Sequence, residues 1–233
     1  GFDGLVTCNE LSYLRGVKEN TTILFGAMNT AGGSLKWFRD ALYGGETPQN
    51  DAYPRINKEI EAGAKNPTGL IFLPYMAGER APIWDPNARG TFMGLNMNTT
   101  RAEMLRAVME GTSFALQDNL DQAIKTGIPI RDFICCGGCS KSDIWLKIKA
   151  SVIGQEIKIP SVNLGAPGGL GYMNAAFMGE YKTPEDASRA ALQIKKIVEP
   201  VEEWIPIYKE LYQIYLDSYQ SLKSQFAALA QIK

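Results

Sequence analysis

Hydrophobic residues make up 45% and charged residues 21% of the 233-residue chain, a balance typical of a globular domain with a sizeable core. The 24 basic and 25 acidic side chains leave a formal net charge of -1, which disfavours nucleic acid or an anionic membrane as a partner. The chain has 0 His, which excludes Ser-His-Asp catalysis, Cys-His catalysis and His-ligated zinc within it. No apolar run reaches the roughly 18 residues that span a bilayer, and no secretory signal is visible, so the cytoplasm is the expected location.

The first part of the chain alternates short β-rich runs with turns and then becomes helical. Strands are predicted at 4–8, 13–17, 22–28 and 69–74. A small-residue loop at 29–34 leads into an amphipathic helix at 35–42, and a second helix is predicted at 55–63. Residues 75–98 are rich in Gly, Pro, Asn and Arg and are predicted to be irregular, and a loop of that length usually has a role.

The central helix has the clearest local signal. Thr100 and Glu103 form a capping box, and apolar residues follow at helical spacing until Gly127. The tail at 200–226 carries Trp204 and a further aromatic stripe with helical period. Such a stripe is typical of core packing rather than of a cofactor site.

A strand, a Gly-Gly turn and a helix are predicted at 130–136, 137–138 and 140–153. Glycines at a strand end let the backbone approach a ligand, and the next helix offers free amides and a positive dipole end. The segment lacks both the Walker spacing and the Gly-x-Gly-x-x-Gly fingerprint. A plain strand-to-helix turn is therefore an equally good interpretation of the residues alone.

Two glycine-containing segments and a charged loop are weaker candidates. A strand at 156–159, a Gly-rich loop at 163–169 and a helix at 170–178 indicate close packing first and ligand binding second. Lys36, early in its helix, can reach a phosphate, although such a lysine is usually just solvated. The loop at 78–90 holds Glu79, Arg80, Asp85 and Arg89, whose charges can brace it. A catalytic carboxylate pair is the alternative, but nothing else in the chain completes an acid–base set.

Three of the four cysteines, Cys135, Cys136 and Cys139, surround the Gly-Gly turn, and Cys8 lies apart. A metal site is one interpretation of this cluster. The chain offers no second ligand cluster, so small buried apolar side chains at a strand end are favoured.

Four segments, in this order, resemble the second domain of FGGY-family carbohydrate kinases, closest to the xylulose kinase-like branch. They are 72–90, with Leu-Pro-Tyr-Met-Ala-Gly-Glu-Arg-Ala-Pro and Asp-Pro-Asn-Ala-Arg-Gly, followed by 136–145, 169–179 and 200–208. The Gly-Glu-Arg run at 78–80 is the most specific, and the preserved order argues against a chance match. The resemblance covers almost the whole chain.

The resemblance implies an α/β fold of the ribonuclease H-like, actin-like ATPase class, a mixed sheet flanked by helices. ATP with Mg2+ is then expected in a cleft between this domain and a preceding one. The matching nucleotide-binding positions are Gly137, Gly138, Ser142, Gly32, Gly33 and Lys36. The first two approach the adenosine and its phosphates, Ser142 lies near the adenine, and the last three wall the pocket. Glu79 and Arg80 match a loop expected to brace the cleft rather than to transfer a proton.

One family motif is missing. The catalytic Asp of the family lies in a Gly-Gly-x-Asp segment of the preceding domain, and no such segment occurs here. The resemblance therefore implies that 1–233 form a single nucleotide-binding domain, that the N-terminal catalytic domain is absent, and that the domain alone is inactive. The whole kinase is expected to phosphorylate a ketopentose such as xylulose, contacted mainly by the absent domain. The alternative is a non-catalytic module that pairs with another chain, and a homodimer is left open.

Overall fold

The computed structural model describes residues 2–3, 6–16, 18–42, 49–162 and 165–232. The helices are α1 (Ala31–Leu42), α2 (Gln49–Gly63), α3 (Arg101–Lys125), α4 (Asp143–Ile153), α5 (Gly165–Phe177), α6 (Pro184–Ala191) and α7 (Trp204–Ala230), with a 3-10 helix at Gly138–Lys141. The strands are β1 (Phe2–Asp3), β2 (Ser12–Arg15), β3 (Thr21–Phe25), β4 (Ile71–Leu73), β5 (Thr91–Met93), β6 (Ile157–Pro160) and β7 (Ile194–Val198). Within the described residues, none of the helices has the length and apolar character needed to cross a bilayer.

Helices α3 and α7 form the centre of the larger hydrophobic core. α3 begins at the predicted capping box, in which Thr100 and Glu103 each accept the other's backbone amide. Its middle is buried because β4, α7, α1, α2 and α4 all contact it. Tyr208 and Tyr215 of α7 lie against Phe114 of α3, with ring centroids 5.9 and 5.6 Å apart. The aromatic stripe is therefore core, as predicted.

The sheets in the described residues are small. β1 and β2 pair antiparallel with β3, β4 pairs with β5, and β6 pairs with β7. The β6–β7 pair packs with α4 in a second, smaller cluster around Leu146, Ala150 and Ile157. β5 lies within the stretch predicted to be irregular, because Thr91–Met93 find partners on β4.

The strand predicted at 130–136 is reduced to one bridge. Ile134 lies parallel to Lys158 of β6, where Lys158 N donates to Phe133 O (2.7 Å) and Cys135 N donates to Lys158 O (3.0 Å). Residues 130–133 form no ladder with any described strand. A strand forms only where a neighbouring strand pairs with it. The residues alone therefore predicted a longer strand than the structure contains.

Further boundaries differ from the predictions. The loop predicted at 29–34 ends before Ala31, where α1 begins, and the strand predicted at 22–28 ends at Phe25. Gly165–Gly169, predicted to be a loop, form the first turns of α5, so this helix starts earlier than expected, and 163–164 lie outside the described residues. Of the strand predicted at 4–8, residues 6–8 are not in a strand and 4–5 lie outside the described residues. Val17, at the end of another predicted strand, also lies outside them, and β2 ends at Arg15.

Candidate functional site

The glycine turn at Gly137–Gly138 follows the bridged segment and precedes α4. Gly137 has φ +83°, a left-handed conformation that glycine adopts without strain. Gly138 starts the 3-10 helix, which Ser140 N closes by donating to Gly137 O (3.2 Å). A Cβ added to either glycine would meet no atom within 4 Å. The backbone of the turn therefore faces open space, and a ligand can approach it closely.

Ser142, predicted to lie near an adenine, is buried and caps α4. Its hydroxyl accepts the amide of Trp145 (3.3 Å) and donates to Oδ1 of Asn57 on α2 (2.8 Å). Capping explains the local fold, since Ser at this position satisfies a helix amide that would otherwise lack a partner. The hydroxyl is thus already engaged within the protein.

Gly32, Gly33 and Lys36 lie at the start of α1. A Cβ on Gly32 would meet nothing within 4 Å, and one on Gly33 would meet only Cβ of Thr30, at 3.8 Å. Lys36 is exposed. The Thr30 hydroxyl donates to the carbonyl of Pro74 and so ties the start of α1 to the end of β4. This segment, like the glycine turn, leaves its backbone accessible.

Helix α2 contacts the helices that follow each glycine segment, at Ser142 before α4 and at Arg39 of α1. Asn57 accepts the Ser142 hydroxyl beside the glycine turn. Tyr53 receives a hydrogen bond from Arg39 of α1 (3.2 Å), whose guanidinium lies 5.2 Å from the ring centroid. Helix α2 therefore contacts the cap of α4 and the last turn of α1, two contacts that were not predicted from the sequence.

The charged loop is braced by its carboxylates, which bind backbone amides and a tyrosine instead of the side chains of the loop's own arginines, the partners predicted from the sequence. Oε1 of Glu79 accepts the amides of Asn29 and Arg80, both at 2.8 Å. The Asp85 carboxylate accepts the Tyr219 hydroxyl of α7 at 2.9 Å. Burial raises the pKa of Glu79 above its ordinary value, and the two amides oppose that rise. The carboxylates connect the entry of α1, the loop and α7, as a brace does.

A cavity that was not predicted from the sequence lies between the charged loop, α3 and α7. It has a volume of about 180 Å³, and its lining includes Tyr75, Asp118, Gln122 and Tyr219. Burial raises the pKa of Asp118 above its ordinary value, and a hydrogen bond from Gln122 opposes the rise. An Asp among the inward positions of α3 is the signal that could have revealed this cavity.

A second, mostly apolar cavity of about 230 Å³ separates β3 from the bridged segment. We call it the sheet gap; it is lined by Leu11, Leu24, Gly26, Leu116, Asn119, Leu120, Ala123, Phe133 and Ile153. The Asn119 amide donates to the carbonyls of Ala81 and Ala115, whereas its Oδ1 is buried without a partner in the described residues. The fold thus leaves an apolar space with an unsatisfied acceptor on its wall.

The comparisons with known proteins define first a class and then a family. The chain superposes on a gluconate kinase from Lactobacillus acidophilus with TM-score 0.84 at 26% identity, covering 96% of this chain and 45% of that one. It superposes on a ligand-bound xylulose kinase from Lactobacillus acidophilus with TM-score 0.83 at 27% identity, covering 94% of this chain and 44% of that one. The fold is therefore that of actin-like ATPase sugar kinases, as predicted.

A family model assigns the chain more narrowly. Residues 6–180 match the C-terminal domain of the FGGY family of carbohydrate kinases, and the chain belongs to that family. The xylulose kinase of Staphylococcus epidermidis strain RP62A is 29% identical over 91% of this chain and 42% of its own length. The chain thus spans less than half the length of the curated relatives it matches.

Proposed function

We propose that the chain is the nucleotide-binding half of an ATP-dependent kinase that transfers the γ-phosphate of ATP to a hydroxyl of a ketopentose such as xylulose. The observation that carries this proposal is the open glycine turn at Gly137–Gly138, at the position where the FGGY resemblance expects the adenosine. Membership of the family supports the reaction class, and the xylulose kinase relatives support the sugar. The cytoplasm is the proposed location.

The residues present fit a nucleotide at its adenosine end but do not complete a phosphoryl-transfer site. The glycine turn leaves room for a ligand beside backbone amides, as nucleotide sites require. Among the described residues, no cluster of at least three His, Cys, Asp or Glu side chains could hold a metal ion. We propose that Mg2+ is bound together with the phosphates of ATP, since the metal neutralises their charge in phosphoryl transfer. Because transfer needs the sugar, base and metal in line, we propose that 1–233, one domain, is inactive alone.

The sheet gap supports the proposal that a further part of the kinase completes this domain. Within the described residues, β1 pairs with β3 at Thr21 and Thr22, in antiparallel register. A strand continuing β1 beyond Phe2 in that register would pass beside Leu24 and Gly26, which line the gap. Such a strand would fill apolar space and give β3 a second neighbour along its full length. We propose that polypeptide outside this chain occupies the gap in the whole kinase.

Calorimetric titration with ATP and with ADP tests nucleotide binding by the chain itself. We expect weak binding, with a Kd on the order of millimolar, because half of the cleft lies outside the chain. Gly138→Val should abolish the heat of nucleotide binding, because its side chain would occupy the space proposed for the ligand. The fold should be retained, since a Cβ on Gly138 meets no protein atom within 4 Å. An unchanged heat in Gly138→Val, or no heat from the parent at millimolar nucleotide, would contradict nucleotide binding at this turn.

A second candidate function is a non-catalytic module that pairs with another chain. It is favoured by an apolar face on the first sheet, where Leu14 lies opposite Ile23 and Phe25 follows on the same face. These three side chains are 58%, 43% and 47% exposed, and such patches mark interaction surfaces. Native mass spectrometry of the purified protein distinguishes the two functions. A stoichiometric second chain in a complex that does not bind ATP would favour the module, whereas nucleotide binding would favour the kinase half.

A further inference from the structure

The thiols of Cys135 and Cys139, which flank the glycine turn in the sequence, lie close together. The Sγ atoms of Cys135 and Cys139 are 3.5 Å apart, although neither is in a disulfide. Both side chains are half-buried, whereas Cys136 between them is exposed. A disulfide needs the sulfurs at about 2.0 Å, so closure requires a shift of only about 1.5 Å. The two sulfurs are therefore close to bonding distance, while Cys136 is exposed to solvent.

The surroundings of Cys139 favour its reactive form. A hydrogen bond shared with the Cys135 thiol and, after it, the Lys149 ammonium lower the pKa of Cys139 to about 5. The same hydrogen bond, together with burial, raises the pKa of Cys135. A thiolate, not a thiol, attacks a disulfide. The Lys149 ammonium, which forms a hydrogen bond with Cys139, therefore favours Cys139 as the attacking thiolate and leaves Cys135 as the thiol that reacts second.

We propose that Cys135 and Cys139 form a reversible disulfide that closes across Gly137–Gly138 and weakens nucleotide binding at the turn. The part concerning the nucleotide rests on the proposed function. The five residues from Cys135 to Cys139 become a closed ring that contains both glycines. A Cβ added to either glycine would meet no atom within 4 Å, so there is room beside the turn for it to shift as the sulfurs approach. The amides that face the ligand then move with the turn.

The oxidant is a low-molecular-weight disulfide such as oxidised glutathione. The Cys139 thiolate attacks one of its sulfurs, forming a mixed disulfide and releasing one thiolate. Cys135 then gives its proton to solvent and attacks the Cys139 sulfur, releasing the second thiolate. Two protein thiols are oxidised and one small disulfide is reduced to two thiols, so the electrons balance. Dithiothreitol reverses the reaction by the same exchange.

Peptide mapping tests the disulfide directly. Trypsin cleaves after Arg131 and Lys141, so all three cysteines of the cluster fall in one peptide. The chain is incubated with oxidised glutathione, the remaining thiols are alkylated, and the peptide is fragmented. We expect alkylation of Cys136 alone, and of all three cysteines after dithiothreitol. Alkylation of all three without reductant, or a disulfide that includes Cys136, would overturn the proposal.

Matched serine variants separate the specific pair from general thiol oxidation. Cys136→Ser keeps both members of the pair and should form the same disulfide. Cys135→Ser should leave Cys139 as a glutathione adduct, because the second attack is lost. Circular dichroism confirms that each variant is folded. Equal intrachain disulfide in Cys135→Ser would overturn the assignment.

Calorimetry with ADP tests the consequence for the site. The oxidised chain should bind ADP on the order of 5-fold more weakly than the reduced chain, the lower range of coupling between sites. Equal affinities would overturn the effect on the nucleotide. If the reduced chain does not bind ADP, the proposed function fails, and the peptide map still decides the disulfide.

Discussion

The molecule has two regions that differ in how completely they are packed. Around α3 and α7, aromatic and aliphatic side chains fill a single large core in which even an arginine is fully buried. Around the glycine turn, β6, β7 and α4 share a small cluster, and the helices α5 and α6 pack mainly against each other. On and just after α5, Phe177 is 88% exposed and Met178 74% exposed. The first region is stabilised by its own filled core, whereas the second exposes large apolar side chains to solvent.

This contrast in packing matches the placement of the candidate nucleotide-binding positions. A filled core resists change, so its residues mainly hold the fold together. The candidate nucleotide positions at Gly32, Gly33, Gly137 and Gly138 all lie where an added Cβ meets little or nothing. Open glycine backbone next to a well-packed core is the arrangement expected of a half-site that another surface covers. The two regions should therefore respond differently to substitution.

The largest effect is expected at Arg106, the buried arginine of the packed region. It donates to Glu110 (2.7 Å), to Tyr208 (2.7 Å) and to two carbonyls, and it lies 4.3 Å from the Trp204 ring centroid. Arg106→Ala leaves a buried carboxylate unpaired and should lower the free energy of unfolding by about 3–5 kcal/mol. Urea denaturation measures this. Arg101→Ala, which breaks an exposed ion pair, is the control and should cost about 0–1 kcal/mol.

A pair of glycine substitutions compares the regions most directly. In the packed region, a Cβ on Gly111 would lie 2.1 Å from the carbonyl oxygen of Phe72, so Gly111→Ala should destabilise by about 1–3 kcal/mol. At the start of α1, where the glycine backbone is open, Gly33→Ala has room and should stabilise the helix by about 0.4–1 kcal/mol. Thermal unfolding of both variants is the measurement. Equal losses would show that the regions do not differ as described.

A smaller effect is expected from Ser142, which connects the regions. Ser142→Ala removes the cap of α4 and the bond to Asn57, and should cost about 0.5–2 kcal/mol. Asn57→Ala removes only the bond between helices and should cost less. Chemical denaturation of both variants separates the two contributions. If Ser142→Ala leaves stability unchanged, the serine is available to a ligand instead.

The smallest effect concerns Asp118 in the cavity beside α7. Because its pKa is raised in the folded protein, the folded state holds this proton more tightly than the unfolded state. Its contribution to stability therefore falls as the pH rises from its ordinary pKa through the raised value. Asp118→Asn should gain stability relative to the parent over that range. Urea midpoints measured at several pH values test this, and a pH-independent difference would contradict it.

Local signals in the sequence predicted the elements that depend on local physics. The capping box at Thr100 and Glu103 fixed the start of α3, and the aromatic spacing identified α7 as core. The segment around Ile134 was overpredicted, since strand pairing depends on distant residues that propensity does not contain. β7 and α6 were not predicted. The candidate glycine positions came from the family resemblance. The short distance between Cys135 and Cys139 became visible only in the folded structure.

The central claim is that the open turn at Gly137–Gly138 is where the nucleotide binds. An amide NMR titration of the isotope-labelled chain with ADP tests this directly. We predict that the amide shifts concentrate at Gly137, Gly138 and the first turn of α4, and disappear in Gly138→Val. Shifts that concentrate at the cavity beside Asp118, or that persist unchanged in the variant, would contradict it.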